Sequence, residues 1–427
     1  MSIYTDDARV LTALQELRAS LGGATPRWSD IVDDAGNQYV DIVMEGGGVL
    51  GIALVGYTYA LEQMGIRFLS AGGTSAGAIN ALLLAAVDDV GTAKSERLLD
   101  ILGTLDMFAF VDGDGDARDM VRALIDWDHT GVVKLAWKAA QVIDNLREDL
   151  GLNPGRAFYD WLADTLLKKA RTPIASQADL TRLLARLPAT LHTRDGTSLA
   201  GAHDLVQVAI VAADVSTETK VVFPSMATLY WADPTTVNPA HYVRASMSIP
   251  GFFWPVRIPN MPTGPAAAQN WDDLAGYHGE LPSEAVLVDG GIMSNFPIDV
   301  FHVDGVPRAP TFGVKIGGDR RRPRTIGTPF ALAGAVFDSA RHYADYDFLL
   351  KHPDYSNLVG TVDTGTSYWL NFFMETAEKV SLFAAGVEAA ARFLATFDWP
   401  SYKAIRARLA EAQALRSNAP HAKARAT

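Results

Sequence analysis

A serine and an aspartate, each set among glycines, are the residues of this sequence best placed to do chemistry. The serine is Ser75, in a G-x-S-x-G pattern with Gly73 and Gly77. A short apolar run precedes the pattern and a very apolar run follows it, which indicates a strand-to-helix junction. Glycines there permit a turn too tight for side chains, and such a turn exposes the serine hydroxyl as a nucleophile. The alternative is a tight turn without chemistry.

The candidate proton acceptor for this hydroxyl is Asp289. It ends the apolar run 285–288 and is followed by Gly290 and Gly291. Ligands of α/β sheets bind at the carboxyl ends of strands, so we expect the aspartate and Ser75 to lie at the same edge of a sheet. In a water-poor cleft a carboxylate is a stronger base than in water. A simple Asp-Gly hairpin turn is the alternative.

Histidine is the usual base for such a serine, and three histidines follow it in positions that need weighing. They are His302, His342 and His352. His302 lies in an apolar run, and the other two lie within or at the end of a helical pattern, where histidines are usually structural. A triad with one of them stays open as the alternative to a Ser75–Asp289 dyad.

A third glycine cluster lies earlier in the chain. It matches the dinucleotide pattern G-x-G-x-x-G, but the next strand ends without the acid that would hold a ribose, and no Gly-Lys-Ser/Thr follows as in a P-loop. What remains is a row of backbone amides at a helix N-terminus, which can bind an oxyanion. We therefore expect an oxyanion hole at Gly46, Gly47 and Gly48, with Gly51 as a supporting residue.

The elements that must position these groups alternate along the chain. Short apolar runs predict strands at 39–44, 66–70, 205–213, 220–223, 285–288 and 311–316. Helical spacing predicts helices at 49–64, 78–87, 330–350 and 374–394. The strand–helix–strand order favours an α/β sheet of mainly parallel strands.

The chain divides by pattern into three parts. We predict an N-terminal polar and helical extension at 1–37, a catalytic domain at 38–400 and an Ala/Arg-rich tail at 401–427. Within the domain, amphipathic stretches at about 88–200 indicate a helical insertion, and Pro- and Gly-rich sequence at 255–282 indicates loops. We expect the tail to be loosely ordered.

Composition excludes several classes of function. The chain has 427 residues, a formal net charge of −12 and no cysteine. Its acidic surface disfavours nucleic acid, and the lack of cysteine excludes disulfides and thiolate chemistry. We find no secretory signal and no 18-residue apolar run, so we expect a cytoplasmic protein that contacts membrane surfaces at most transiently.

Three aspartates alternate like the start of a calcium loop, at Asp112, Asp114 and Asp116. An EF-hand requires glutamate at its twelfth position, and Ala123 stands there. We interpret the run as an acidic turn and expect neither a metal nor a cofactor.

Taken together, the glycine loop, the G-x-S-x-G turn and Asp289-Gly290-Gly291 resemble the signature blocks of patatin-like phospholipases. A fourth segment, 245–256, is similar to that family's Ala-Ser-x-Ser-x-Pro segment. The resemblance covers about 40–394 and implies a three-layer α/β/α fold. It also implies a Ser75–Asp289 dyad without histidine, which cleaves acyl esters of lipids through an acyl-enzyme intermediate.

One position departs from the family pattern. Many members carry arginine or lysine where this chain has Leu50, which weakens the case for phospholipids more than the case for ester hydrolysis. One alternative is therefore a carboxylesterase or thioesterase that acts on soluble acyl substrates. Another is a lipid-binding regulatory protein that uses the same scaffold without turnover.

Overall fold

A central β-sheet organises the chain, whose computed structural model describes residues 2–23, 26–125, 149–317, 323, 326–327, 329–367 and 369–418. The strands in these ranges are β1 (Ile31–Val32), β2 (Gln38–Met44), β3 (Ile66–Thr74), β4 (Gly151–Asn153), β5 (His192–Thr193), β6 (Val208–Asp214), β7 (Thr219–Phe223), β8 (Gly251–Phe253), β9 (Val256–Pro259), β10 (Glu284–Asp289), β11 (Thr311–Ile316) and β12 (Val359–Val362).

The sheet is parallel at its centre and antiparallel at its margins. Parallel pairing joins the strands in the order β12-β11-β2-β3-β6. β6 pairs antiparallel with β7 and β10, β10 with β9, and β1 with β2 and β5. All seven residues of β6 are buried, as expected for a strand that is covered on both faces. With helices on both sides of this mixed sheet, the predicted three-layer α/β/α class is confirmed.

β3 and β10 approach each other head-on along one edge of β6. β7 occupies the other edge, where it pairs with 210–214. On the remaining edge, β3 pairs with 208–211 and the antiparallel β10 pairs with 212–214. The carboxyl ends of β3 and β10 therefore meet between Val211 and Ala212. The sequence analysis predicted that Ser75 and Asp289 lie at the same edge of the sheet because each follows or ends a strand. That reason is wrong, because β10 runs antiparallel to β3 and the two strand ends meet from opposite directions.

Helices flank the sheet and fill the connections. Those in the described ranges are α1 (Ala8–Ser20), α2 (Ile52–Gln63), α3 (Ala76–Ala86), α4 (Ser95–Leu102), α5 (Gly115–Ile125), α6 (Arg156–Lys168), α7 (Gln177–Leu184), α8 (Ala240–Ser246), α9 (Pro265–Ala275), α10 (Pro329–Lys351), α11 (Thr376–Thr396) and α12 (Trp399–Asn418). α3 is buried at every residue except Ile79, because it packs on β3, β6 and β2.

Two stretches differ from the sequence predictions. The predicted loops at 255–282 contain β9 and α9, and α9 begins at Pro265, where a missing amide proton costs a helix nothing. The tail after 401 is not loosely ordered as far as 418, because α12 anchors it. Trp399 and Tyr402 are buried there, and buried Arg406 lies 3.3 Å from Asp354.

The predicted insertion at 88–200 is described only in part, since 126–148 lie outside the described residues. Its described portion holds α4 to α7 and the short strands β4 and β5. Across the described chain, no individual helix combines the length and apolarity that a membrane crossing needs. One pair bent by 67°, Thr376–Thr396 with Trp399–Leu415, meets those two criteria jointly.

Candidate active site

Ser75 occupies the sharp turn between β3 and α3. Its φ of 52° lies in the left-handed region that residues with a Cβ seldom adopt. The Ser75 amide donates a hydrogen bond of 2.9 Å to Ser246 Oγ, and the Ser246 hydroxyl donates one of 2.6 Å to the Val211 carbonyl. A neighbouring helix end thus holds the strained residue in place.

The glycines of this turn are required by close backbone approach. A Cβ on Gly77 would lie 2.1 Å from the Met44 carbonyl oxygen, and one on Gly73 would lie 2.5 Å from the Gly77 carbonyl carbon. On the facing loop, a Cβ on Gly46 would lie 3.3 Å from Ser75 Cβ. The end of β2 and the serine turn therefore pack backbone to backbone.

Asp289 ends β10 within hydrogen-bond reach of the Ser75 side chain. Its Oδ1 accepts a 2.7 Å bond from the Gly291 amide, and its own amide donates to the Ser248 carbonyl at 2.9 Å. Burial raises the pKa of the Asp289 carboxyl. The positive charge of Arg341 and the hydrogen bonds from Ser75 and Gly291 oppose part of this rise. The structure therefore brings the predicted nucleophile and base together.

The glycine loop offers two amides for a ligand. The Gly47 and Gly48 amides donate no hydrogen bond to any residue that the structure describes. The Gly46 amide already donates to the Asn295 carbonyl at 2.9 Å, and the Val49 amide donates to the Trp369 carbonyl at 3.0 Å. Of the three amides predicted to bind an oxyanion, the geometry thus favours those of Gly47 and Gly48.

Asn295 fixes this loop, and the sequence patterns did not identify it. Its Nδ2 donates to the Gly46 carbonyl at 3.2 Å and to Glu45 Oε1 at 3.3 Å. The buried Glu45 carboxylate in turn accepts a 2.7 Å bond from the Ile316 amide. The sequence signal that could have identified Asn295 is its position. It is an amide side chain four residues after Gly291, whose own backbone amide donates to Asp289.

The segment at 245–256 braces both members of the pair. Ser246 holds the Ser75 amide and the Ser248 carbonyl holds the Asp289 amide. Buried Arg244 donates a hydrogen bond to Ser248 Oγ. It also donates to the carbonyls of Gly155 and Pro154, which directly precede α6, at 3.1 and 2.6 Å. Burial lowers the pKa of Arg244 to about 10. This arginine therefore ties the insertion to the segment that braces Ser75 and Asp289.

The histidines of the alternative triad lie in another cluster where the structure describes them. His302 Nδ1 is 2.5 Å from the Tyr355 hydroxyl, and its ring centroid is 5.2 Å from that of His352. The described contacts include no hydrogen bond from either histidine to Ser75. The side chain of His342 lies outside the described residues. The geometry therefore favours the dyad over a triad with His302 or His352.

The aspartates of the calcium-like run bind backbone amides. Asp112 accepts bonds of 2.8 and 2.9 Å from the Gly155 and Ala157 amides at the start of α6. Asp114 accepts a 2.8 Å bond from the Ala117 amide in α5. Both carboxylates therefore cap helix N-termini, where a negative charge is stabilised.

A narrow apolar cavity of about 30 Å³ lies between the glycine loop and α3. We call it the elbow cavity. Gly48 and Ala76 line it on the catalytic side, and its apolar walls include Ile79, Met107 and Met374. The cavity is small, so only a short chain fits without movement of the walls.

Fold, site and sequence together define a protein class. The model of the family described as patatin-like phospholipase matches residues 42–302, more than half of the chain. The chain belongs to the patatin-like phospholipase family. Its mixed sheet with helices on both sides is the fold of that family. Membership supports a hydrolase that acts on lipids.

Similarity extends to other known proteins. YqhO, an uncharacterized protein of Bacillus subtilis (strain 168), is 27% identical over 368 residues, which cover 83% of this chain and 98% of YqhO. VipD from Legionella pneumophila is 14% identical with a TM-score of 0.39, over 87% of this chain and 70% of VipD. ExoU, solved in complex with SpcU from Pseudomonas aeruginosa, is 15% identical with a TM-score of 0.33, over 84% of this chain and 52% of the matched chain.

Proposed function

We propose that the protein hydrolyses acyl esters of lipids, with Ser75 as nucleophile and Asp289 as its only side-chain base. The observation that carries this proposal is the Ser75 hydroxyl next to the Asp289 carboxyl group, whose pKa it lowers, at the meeting point of β3 and β10. The amides of Gly47 and Gly48 donate to none of the described residues, and they supply the second element that acyl transfer needs.

The first half-reaction forms an acyl-enzyme. Ser75 Oγ attacks the ester carbonyl carbon while its proton passes to the Asp289 carboxylate. The carbonyl oxygen becomes an oxyanion, which accepts hydrogen bonds from the Gly47 and Gly48 amides. When the tetrahedral intermediate collapses, the ester C–O bond breaks and the departing alcohol takes the proton from Asp289.

The second half-reaction restores the enzyme. Asp289 removes a proton from water, and the resulting nucleophile attacks the acyl carbon that is bonded to Ser75 Oγ. Collapse of this second intermediate releases the carboxylic acid, and Ser75 regains its proton from Asp289. Burial supports Asp289 as the base, because a carboxylate with a raised pKa is a stronger proton acceptor than an exposed one.

The elbow cavity supports one refinement of the substrate. It is lined by Gly48 and by Ala76, the residue after Ser75. We therefore propose that it accepts the chain of an acyl group bonded to Ser75. At about 30 Å³ it favours short acyl chains, and this keeps soluble acyl esters as a second candidate substrate class. Hydrolysis of short soluble esters beside fatty-acid release from phospholipid vesicles separates the two.

A fluorophosphonate probe and a lipid-class screen test the proposal. Wild type should be labelled at Ser75 and should release fatty acid. Ser75→Ala should lose both, and Asp289→Asn should lose about 10³-fold or more of the turnover. His302→Ala and His352→Ala should remain labelled at close to the wild-type rate.

Ser225→Ala is the matched control, since Ser225 is exposed and bonds only to a local carbonyl among its described contacts. Full turnover by Ser75→Ala, or loss of labelling in His302→Ala, contradicts the dyad. Folded wild type that takes no label at Ser75 favours the lipid-binding regulatory protein instead.

A further inference from the structure

Arg341 reaches the active site from α10, outside every block that the sequence patterns identify. Its Nη2 donates a 2.6 Å hydrogen bond to Asn295 Oδ1, and its guanidinium carbon lies 5.6 Å from the centre of the Trp369 ring. Both contacts hold the glycine loop, because Asn295 bonds to Gly46 and the Trp369 carbonyl accepts from the Val49 amide. Arg341 therefore supports the loop from two sides.

The same guanidinium lies beside Asp289. A Cβ on Gly291 would be 2.8 Å from Asp289 Oδ1 and 3.1 Å from Arg341 Nε, so these two atoms lie within about 6 Å of each other. An opposite charge at that separation favours the ionised carboxylate. Among the influences on Asp289, the charge of Arg341 is the largest that opposes burial.

Other titratable side chains occur on the elements packed around Asp289. Those in the described part of the chain include His241, Tyr242 and Arg244 on α8, Asp214 on β6, Arg257 on β9, Glu284 on β10, Asp345 on α10 and Glu45 after β2. Several have their own partners: Arg257 pairs with Glu284 at 2.7 Å, and Asp345 accepts bonds from Ser294 and Phe296. Arg341 is the one whose charge acts on Asp289.

The glycine loop brings no positive charge of its own. Leu50 is apolar and only 5% exposed, and the loop's one ionisable neighbour in sequence is the acid Glu45. During acyl transfer a proton enters the carboxylate while negative charge appears at the amides of Gly47 and Gly48. Arg341 lies near the carboxylate and bonds to Asn295, which holds the loop, so it is placed to act on both regions.

We infer that Arg341 is a positioning residue of this active site, which keeps the Asp289 carboxylate ionised and holds Asn295 against the glycine loop. This inference rests on the proposed function, because it assigns Arg341 a task only if Asp289 is the base.

The pH dependence of kcat/KM on a neutral soluble ester tests this inference, since such a substrate has no charged headgroup for Arg341 to bind. Arg341→Gln keeps a donor for Asn295 Oδ1 but removes the charge. The acidic limb of its pH profile should move to higher pH by about one unit or more, because the Asp289 carboxyl then ionises less readily. Arg341→Lys keeps the charge, so the acidic limb of its profile should stay at the wild-type pH. Its kcat should fall, because lysine lacks the planar set of donors of the guanidinium.

Arg392→Gln is the control, because it removes an exposed arginine of α11 that pairs with Glu388 at 3.9 Å, and its limb should not move. A folded Arg341→Gln with the wild-type limb overturns the inference. If circular dichroism shows that Arg341→Gln does not fold, Arg341→Lys decides the question. An acidic limb displaced by one pH unit in Arg341→Lys overturns the inference. An unmoved limb with reduced kcat supports it. Absence of Ser75-dependent turnover in wild type refutes the proposed function instead.

Discussion

The hydroxyl of Ser246 accepts a 2.9 Å hydrogen bond from the backbone amide of Ser75 and so holds that residue at a φ of 52°. Ser246→Ala removes this acceptor and leaves a buried amide without its partner, which costs about 1–3 kcal/mol of stability. A relaxed turn also moves the nucleophile. We expect kcat/KM to fall about 100-fold, mainly in kcat, as measured with a soluble ester.

The exposed hydroxyl of Ser225 provides the comparison, and Ser225→Ala should change neither the rate nor the urea midpoint. A Ser246→Ala enzyme with wild-type kcat would show that the turn keeps its shape without this bond.

Gly77 tests the close packing between the serine turn and β2. An added methyl group in Gly77→Ala would lie 2.1 Å from the Met44 carbonyl oxygen, and backbone cannot yield as a flexible side chain can. We expect a loss of about 3 kcal/mol in the free energy of unfolding, measured by urea denaturation. Gly201→Ala, whose new Cβ meets nothing within 4 Å, should be neutral or slightly stabilising. Equal stability of the two variants contradicts the packing.

The sequence could predict the local geometry of the site because glycine spacing reports tight turns directly. Ser75 was predicted at a strand-to-helix junction, and the structure has β3 and α3 on its two sides. Strand β11 was predicted at 311–316, the range it occupies. Such features depend on residues close in sequence, and their periodicity shows which segments are buried.

Features that depend on strand direction were not predictable. Nothing local to Asp289 indicates that β10 is antiparallel to β6. The proximity of Asp289 to Ser75 was therefore predicted correctly, but for the wrong reason. The same limit applies to Asn295 and Arg341. Contacts between segments far apart in the chain occupy the Gly46 amide and bring the guanidinium of Arg341 to the site.

The raised pKa of Asp289 predicts a cost in stability. Between the ordinary carboxyl pKa of about 3.9 and the raised folded value, the folded protein binds more protons than the unfolded chain, so stability falls as pH rises through this window. Asp289→Asn removes the ionisable group and keeps an oxygen for the Gly291 amide. We expect its Tm at neutral pH to exceed that of wild type by about 2 °C or more, and the gap to close below the window.

Calorimetry across pH 3.5–8 measures this difference at each pH. Asp304→Asn is the matched control, since that side chain is 95% exposed and should leave the Tm unchanged at every pH. A neutral-pH Tm below that of wild type for Asp289→Asn means that the ionised carboxylate stabilises the fold, contrary to the effect of its burial.

The elbow cavity predicts how chain length is selected. Ile79 is the one residue of α3 that is not fully buried, and it lines the cavity beside Ala76. Ile79→Ala should lengthen the cavity, and each additional buried CH₂ of substrate contributes about 0.8 kcal/mol, or about fourfold in kcat/KM. In a series of p-nitrophenyl esters from acetate to decanoate, the kcat/KM of Ile79→Ala should therefore peak at longer chains than that of wild type. Ile79→Trp should shift the peak towards acetate.

The control is Ile3→Ala, at a surface position that is 62% exposed, which should leave the chain-length profile unchanged. Identical profiles for folded Ile79→Ala, Ile79→Trp and wild type would place the acyl chain elsewhere, because Ile79 lines the elbow cavity.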